Sequence, residues 1–137
     1  MTRIVFDTNV LLSAVISERG TSSKLVLLAA QGKISGFTSI AILREFGGVA
    51  IRDYQFSNAR VEWIVGGFLN YLELVNPDFT LDVLSDKPDN RVLECAVACK
   101  ADYIASWDRH LTDLKNYQGI AIANPGKILD ALTEGKN

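Results

Sequence analysis

Four acidic residues lie at positions where folding could bring their carboxylates together. Asp7 directly follows a short apolar run, Asp108 follows another after one intervening residue, and Glu45 and Asp89 lie in segments of helical spacing. Taken singly, each acid has an ordinary interpretation as a helix cap or a solvated turn residue. Clustered carboxylates without arginine partners repel one another, and a divalent cation removes that cost. Because Mg²⁺ and Mn²⁺ prefer carboxylate and water oxygens, the pattern predicts a cation site suited to phosphoryl chemistry.

The elements that must position these acids follow from the hydrophobic pattern. Short apolar runs predict strands at 4–6, 34–38, 72–75, 103–106 and 119–122. Apolar residues at helical spacing predict helices between Gly20 and Gly32, from Ser39 through Phe46, over 57–71, from Asp89 through Val97 and after Pro125. The alternation indicates an α/β fold with a parallel sheet and helices on both faces. Ligands of such sheets bind outside the carboxyl ends of the strands, where Asp7 and Asp108 are expected.

Two local features refine this prediction. Gly47-Gly48 is expected to weaken the helix that begins after Ser39, and Asp89 is expected to cap the helix that follows Pro88. Glu45 stands between Leu43 and Phe46, so its side chain is expected to be partly buried.

Length and charge set the general class of protein. The 137 residues, 48% of them hydrophobic, predict a single domain over 1–137 that is stable without disulfides. The net charge of −2 offers no general attraction to phosphate polymers or anionic membranes, so any nucleic-acid contact must be local or mediated by a metal. No segment approaches about 18 uninterrupted apolar residues, so we expect a cytoplasmic protein without a membrane span.

The two cysteines are expected to be reduced core residues. Cys95 and Cys99 lie four residues apart in a predicted helix. At that spacing the Cβ atoms are about 5–6 Å apart, which is too far for a relaxed disulfide.

Four stretches share the order and spacing of a known family. They are Ile4–Leu11, Thr38-Ser39 with Glu45, Asp86–Ala96 and Ala101–Leu111. Together they resemble the PIN-domain family, and within it the VapC-like toxin nucleases, over almost the whole chain. The resemblance implies a three-layer α/β/α sandwich around a mainly parallel sheet and metal-dependent endoribonuclease activity with Mg²⁺ or Mn²⁺. It also implies a homodimer and, for a toxin, a cognate antitoxin protein.

The resemblance assigns roles to individual positions. The four acids Asp7, Glu45, Asp89 and Asp108 match the catalytic acids of the family. Three of them, Asp7, Asp89 and Asp108, would hold the cation, and Glu45 would help to bind it or to orient water. Auxiliary positions are Asn9 and Ser39, which hold the first acid or a water in the family, and Asp86, which assists or caps its loop. The resulting hypothesis is hydrolysis of an RNA phosphodiester by water that the cation activates.

The sequence departs from the family pattern after the fourth acid. His110 stands where relatives often carry a further Asp, and Trp107 stands where they often carry Gly. Three interpretations of His110 remain open: a solvated histidine at a helix start, a phosphate contact, and a metal ligand. Asp113 is an alternative source of the missing carboxylate if the chain is helical after Arg109. Trp107 either stacks on a base or packs over the edge of the sheet.

Substrate and partner contacts are less specified. Among the arginines, Arg91 and Arg109 are nearest to the acids in sequence and are our choices for phosphate contacts. The helix over 57–71 either forms a dimer face through Trp63, Phe68 and Tyr71 or packs these rings in its own core. The main alternative function is a catalytically inactive PIN-like module that binds RNA or protein. A dinucleotide-binding function lacks support because no G-x-G-x-x-G follows the first strand.

Overall fold

The computed structural model describes residues 1–135, in which strands and helices alternate. The strands are β1 (Arg3–Phe6), β2 (Ser35–Ser39), β3 (Leu72–Val75), β4 (Tyr103–Ala105), β5 (Asn116–Tyr117) and β6 (Ile120–Ala123). The helices are α1 (Thr8–Ile16), α2 (Thr21–Ala30), α3 (Ile40–Tyr54), α4 (Asn58–Phe68), α5 (Lys87–Cys99), α6 (Arg109–Thr112) and α7 (Pro125–Glu134). Within these residues, none of the helices has the length and apolar character needed to cross a membrane.

The strands form one sheet in the order β3-β2-β1-β4-β6-β5. The first five are parallel, and β5 alone pairs in the antiparallel sense, with β6. Helices flank the sheet, with α5 packed on β1, β2 and β4, and with α2 and α7 in contact with each other. This arrangement confirms the three-layer α/β/α architecture and the mainly parallel sheet.

β1 occupies the middle of the molecule. Ile4, Val5 and Phe6 have no exposed surface, as expected for a parallel strand covered on both faces. Val5 is in register with Phe37 of β2 and with Ile104 of β4. The carboxyl ends of these central strands therefore open at one edge of the sheet, and the residues that follow β1 and β4 meet there.

Two helix boundaries differ from the sequence prediction. α3 continues through Gly47-Gly48 to Tyr54, because Phe46 and Ala50 are fully buried and their packing outweighs the low helix propensity of glycine. α5 begins at Lys87 with Asp86 at the N-cap position, so the prediction that Asp89 caps this helix was wrong. Proline fits inside a first turn, where its missing N–H costs nothing, and Pro88 therefore does not mark the start.

Both cysteines are free and buried, which confirms their prediction as reduced core residues. The helix predicted over 57–71 ends earlier, at Phe68, and Tyr71 directly precedes β3.

Candidate metal centre

Asp7 connects the end of β1 to the start of α1. It is the N-cap residue of α1, and its Oδ1 accepts a hydrogen bond of 2.7 Å from the Thr8 backbone N–H. Its own backbone N–H donates to the carbonyl of Ala105 at the end of β4, at 2.9 Å. Only 7% of the residue is exposed, so it is buried at the carboxyl end of β1.

Two small polar side chains join Asp7 to the turn after β4. The Ser106 hydroxyl donates to Asp7 Oδ2 at 2.7 Å and accepts from the Asp108 backbone N–H at 3.0 Å. The Asn9 amide donates to the same Asp7 oxygen at 3.3 Å, and its carbonyl oxygen accepts from the Trp107 N–H at 3.1 Å. Sequence reasoning proposed Asn9 as a residue that holds the first acid but assigned no role to Ser106. The only signal for Ser106 was a hydroxyl placed between a strand and an acid.

Asp89, Asp108 and His110 bring possible metal-binding atoms together. One carboxylate oxygen from each acid and one imidazole nitrogen all lie within 4.8 Å of one another. Asp89 is 4% exposed, and its Oδ2 has no hydrogen-bond partner. Asp108 caps α6, where its Oδ1 accepts from the His110 N–H at 2.9 Å and lies 3.4 Å from His110 Nδ1. Among the described residues, Asp7 is beside this group but is not one of its members.

The charge balance of the site favours a cation. Burial, followed by the charges of Asp108, Asp7 and Asp86, raises the pKa of Asp89 to about 7, and His110 opposes this shift. Burial also raises the pKa of Asp7, although the hydrogen bonds from Ser106 and Thr8 act against it. Each shift reflects the cost of negative charge placed close together in a poorly solvated position. A buried carboxylate oxygen without a donor and a set of oxygen ligands fit a divalent cation.

Three further predicted positions lie outside the metal-binding group. Ser39 is buried at the N-cap of α3 and accepts from the Ile42 N–H at 3.2 Å, and Asp86 is exposed at the N-cap position of α5. Glu45 is exposed, which corrects the expectation of partial burial. The neighbouring Phe46 faces the core, and successive residues of a helix point in different directions. Glu45 still lines a cavity of about 190 Å³ at this end of the molecule, and its charge contributes to the raised pKa of Asp7.

The loop before α5 is fastened to that helix. The Asn90 side chain accepts from the N–H groups of Val83 and Leu84, at 3.0 and 2.8 Å, and donates to the Leu84 carbonyl at 2.7 Å. Glu94 accepts from the Leu81 N–H at 2.8 Å. These contacts fix the approach to the first turn of α5, from which Asp89 enters the site.

The predicted phosphate-binding arginines have different environments. Arg109 is exposed on α6, next to Asp108. Arg91 is partly engaged, since its guanidinium forms a 2.7 Å ion pair with Glu94 and donates to the Leu81 carbonyl at 3.1 Å.

Two other residues raised by the sequence also lie near α6. Trp107 is 44% exposed, and its indole N–H donates to the Ser22 hydroxyl at 2.8 Å, which fixes the ring beside the site. Asp113 is exposed at the C-cap of α6 and is not part of the metal-binding group.

Comparison with known proteins establishes the family. The model of the PIN domain matches residues 3–110, so the chain belongs to the PIN-domain family. It is 31% identical to the uncharacterized protein MJ1680 of Methanocaldococcus jannaschii over 118 residues, which are 83% of this chain and 76% of that protein.

Solved structures share the fold at low sequence identity. A chain of VapBC2 from Rickettsia felis, bound to a DNA fragment from their promoter, superposes with a TM-score of 0.64 and 16% identity. The match covers 90% of this chain and 98% of that one. The PIN domain of T. brucei RRP44 superposes with a TM-score of 0.52 and 12% identity, over 98% and 83% of the two chains.

Proposed function

We propose that this PIN-domain protein is a metal-dependent endoribonuclease and the toxin of a toxin–antitoxin pair. The observation that carries the proposal is the buried Asp89 oxygen without a hydrogen-bond donor, located beside Asp108 at the carboxyl edge of the sheet. A buried charge of this kind needs a partner, and a divalent cation supplies one.

The acids have distinct tasks in this proposal. Asp7, Asp89 and Asp108 would hold Mg²⁺ or Mn²⁺, which lowers the pKa of bound water and neutralises charge on a scissile phosphate. Ser106 and Asn9 orient Asp7 through their hydrogen bonds, and the bond from Ser106 also acts against the rise in its pKa. Glu45, exposed at the rim, would orient the attacking water or add a ligand.

RNA would contact the rim through a few side chains. The net charge of −2 provides no general attraction, so local cations must position the phosphates. Arg109 is exposed one residue after Asp108 and suits this role. Arg91 is less available for phosphate contacts because its guanidinium is already paired with Glu94. The exposed face of Trp107 offers a stacking surface for a base.

Cleavage of a mixed structured RNA tests the proposal. We expect purified protein to cut it with Mn²⁺ or Mg²⁺ but not with chelator, and we expect Asp108→Asn or Asp7→Asn to lower the rate by at least about a hundredfold. Asp113→Asn is the matched control, because this exposed acid ends the same short helix outside the metal-binding group. Cleavage that survives in the Asp7 and Asp108 variants, measured by gel with circular dichroism to verify folding, would remove these acids from the mechanism.

A catalytically inactive PIN-like module that binds RNA or protein is the second candidate. It is favoured by one observation, that His110 occupies a position where relatives often have an acid. The same assay separates the candidates, since binding of RNA without cation-dependent cleavage by folded protein would support the inactive module.

An antitoxin would suit the acidic site. The fold resembles a chain of VapBC2, a pair crystallised on DNA from their promoter. We propose that an antitoxin segment places an arginine among the carboxylates, where charge-assisted hydrogen bonds are strong. Such a segment would block the cation, so antitoxin peptide and Mn²⁺ should compete for the wild-type protein in a titration.

We also propose a homodimer formed through α4. Of the three rings singled out in this segment, Phe68 packs in the core against Phe46 with ring centroids 5.3 Å apart, whereas Trp63 is 82% exposed. Trp63 and Tyr71 both line a groove of about 660 Å³.

A further inference from the structure

His110 lies beside two of the acids, Asp89 and Asp108. It is the second residue of α6, directly after Arg109, and its Nδ1 lies 3.4 Å from Asp108 Oδ1. It is also the only histidine in the 137-residue sequence. Its imidazole and the carboxylates of Asp89 and Asp108 bring three possible ligand atoms within 4.8 Å of one another.

An ion pair with Asp108 alone does not account for this arrangement. The His110 side chain is 82% exposed, and an ion pair at such a position contributes little to stability. It also leaves Asp89 Oδ2 buried without a donor, although this atom belongs to a carboxylate within 4.8 Å of the imidazole. A cation between the three side chains would satisfy Asp89 and Asp108 and would use the imidazole as a neutral nitrogen ligand.

We propose that His110 is a further metal ligand beside these carboxylates and that it gives the site a preference for Mn²⁺ over Mg²⁺. Mg²⁺ strongly prefers oxygen ligands, whereas imidazole suits transition metals. A nitrogen in place of the usual carboxylate therefore weakens Mg²⁺ binding more than it weakens Mn²⁺ binding. The inference rests on the cation site of the proposed function but does not depend on cleavage.

Two substitutions at this position test the preference with protein that carries no histidine tag. The Mn²⁺ affinity is measured by electron paramagnetic resonance of the free ion, and the Mg²⁺ affinity by competition. We expect His110→Ala to weaken Mn²⁺ about tenfold and to change Mg²⁺ binding less than about twofold. We expect His110→Asp to tighten Mg²⁺ binding and to lower the ratio of the two affinities about tenfold. An unchanged Mn²⁺ affinity in His110→Ala would overturn the inference.

The single histidine permits a direct spectroscopic test. With Zn²⁺ as a diamagnetic probe, the ¹⁵N resonance of the coordinated ring nitrogen should shift in wild-type protein, and the same shift should require more Zn²⁺ in Asp89→Asn, which lacks one carboxylate. Both cysteines are buried and do not compete for the ion. An imidazole resonance that Zn²⁺ leaves unmoved in the wild-type protein would contradict the inference.

The two proposals fail separately. Wild-type protein that binds Mn²⁺ through His110 but cuts no RNA would disprove the nuclease and keep His110 as a ligand. Cleavage that requires Asp108, combined with His110→Ala protein whose metal affinities equal those of the wild type, would keep the nuclease and remove His110 from the site.

Discussion

Ser106 has a small side chain with a large effect on the site, because it is shared by two acids. Its hydroxyl donates to Asp7 Oδ2 and accepts from the Asp108 N–H, and the residue has no exposed surface. No water can replace a hydroxyl in such a position without a cavity to hold it. The orientation of Asp7 and Asp108, which follow different strands, therefore depends on one buried oxygen atom.

Removal of this oxygen should affect both stability and activity. We expect Ser106→Ala to lower the free energy of unfolding by about 1–3 kcal/mol, because Asp7 and the Asp108 N–H each lose a buried partner. We expect cleavage to fall about tenfold or more, since misplaced ligands weaken cation binding. Chemical denaturation and the RNA assay measure the two effects. Ser85→Ala, at an exposed loop position, is the control, and equal behaviour of the two variants would contradict the role of Ser106.

Asp89 makes the stability of the cation-free protein depend on pH. Its pKa is raised to about 7 from an ordinary value of 3.8, mainly by burial. Between these values the folded protein holds a proton that the unfolded chain has released, so stability falls as pH rises through this window. Above it the full cost of the buried charge is present.

Asp89→Asn should therefore stabilise the protein in chelator at high pH. We expect a gain of about 2–4 kcal/mol near pH 8 and little difference at about pH 3, below both pKa values, where the Asp89 carboxyl is largely protonated in the folded and in the unfolded chain. Denaturant titrations with chelator at the two pH values measure this, and Asp82→Asn at an exposed position is the control. A variant that is less stable than the wild type near pH 8 would show that the ionised Asp89 carboxylate does not destabilise the folded protein.

At the scale of elements, two glycines differ in whether the fold has room for a side chain at their position. A Cβ at Gly36 of β2 would lie 2.5 Å from Leu72 Cδ2 and 3.1 Å from both Ala29 Cβ and a carbon of the Phe6 ring. A Cβ at Gly48 of α3 would meet no atom within 4 Å. The first glycine permits close approach of β2 to its neighbours, and the second only adds backbone entropy to the unfolded chain.

Alanine at these two positions should have opposite effects. We expect Gly36→Ala to lower the free energy of unfolding by about 1–3 kcal/mol through overpacking, and Gly48→Ala to raise it by about 0.5–1 kcal/mol through helix propensity. Thermal and denaturant unfolding measure both, and each variant serves as the control for the other. Destabilisation by Gly48→Ala would contradict the open environment of that helix face.

The hydrophobic pattern predicted the elements well where a segment is uniformly buried. β1 was found because its apolar run is covered on both faces, whereas β3 was found from its apolar residues although Glu73 and Leu74 are exposed. The pattern could not reveal β5, since two residues carry no periodicity. The signal there was Gln118-Gly119, a two-residue turn between Tyr117 and Ile120 in which both turn residues have positive φ, at 50° and 83°.

The site was predictable to the extent that it lies next to strand ends. Asp7 and Asp108 follow β1 and β4, and the order of parallel strands places them together. The orphaned oxygen of Asp89 depends on tertiary packing of α5, and the hydrogen bonds of Ser106 depend on the exact direction of a side chain. Neither is contained in residue spacing, so the sequence indicated the acids and Asn9 but not the bridge that Ser106 forms between Asp7 and Asp108.

At the scale of the whole molecule, the two proposed contact surfaces use different chemistry. The carboxyl edge of the sheet carries the acids and suits cations, phosphates held by a cation, and arginine-bearing segments. The groove beside α4 is mainly apolar: Val15, Trp63, Phe68 and Tyr71 are among its lining residues, and Glu62 and Asn70 add polar groups. A protein with a net charge of −2 thus separates its charged recognition site from an apolar surface.

Trp63 is the residue on which the proposed homodimer depends. An indole that is 82% exposed leaves a large apolar area in water, and buried tryptophans commonly dominate the binding energy of interfaces. Gly66 and Gly67 lie on the same helix and line the same groove, where an added Cβ would meet no atom within 4 Å. A second copy could therefore place its own Trp63 into the groove by a two-fold operation.

Trp63→Glu should convert the dimer into a folded monomer, because the carboxylate would be desolvated at the interface while the isolated subunit leaves it in water. Light scattering after size exclusion should give about twice 15.0 kDa for wild-type protein and 15.0 kDa for the variant. Val83→Glu, at a 42% exposed apolar position on the loop before α5, is the matched control and should remain dimeric. A wild-type particle of 15.0 kDa at working concentration would reject the dimer, and an unchanged mass of the Trp63 variant would place the interface elsewhere.

Since the metal centre is built within one chain, the monomeric variant should keep its RNA cleavage rate, which separates assembly from catalysis.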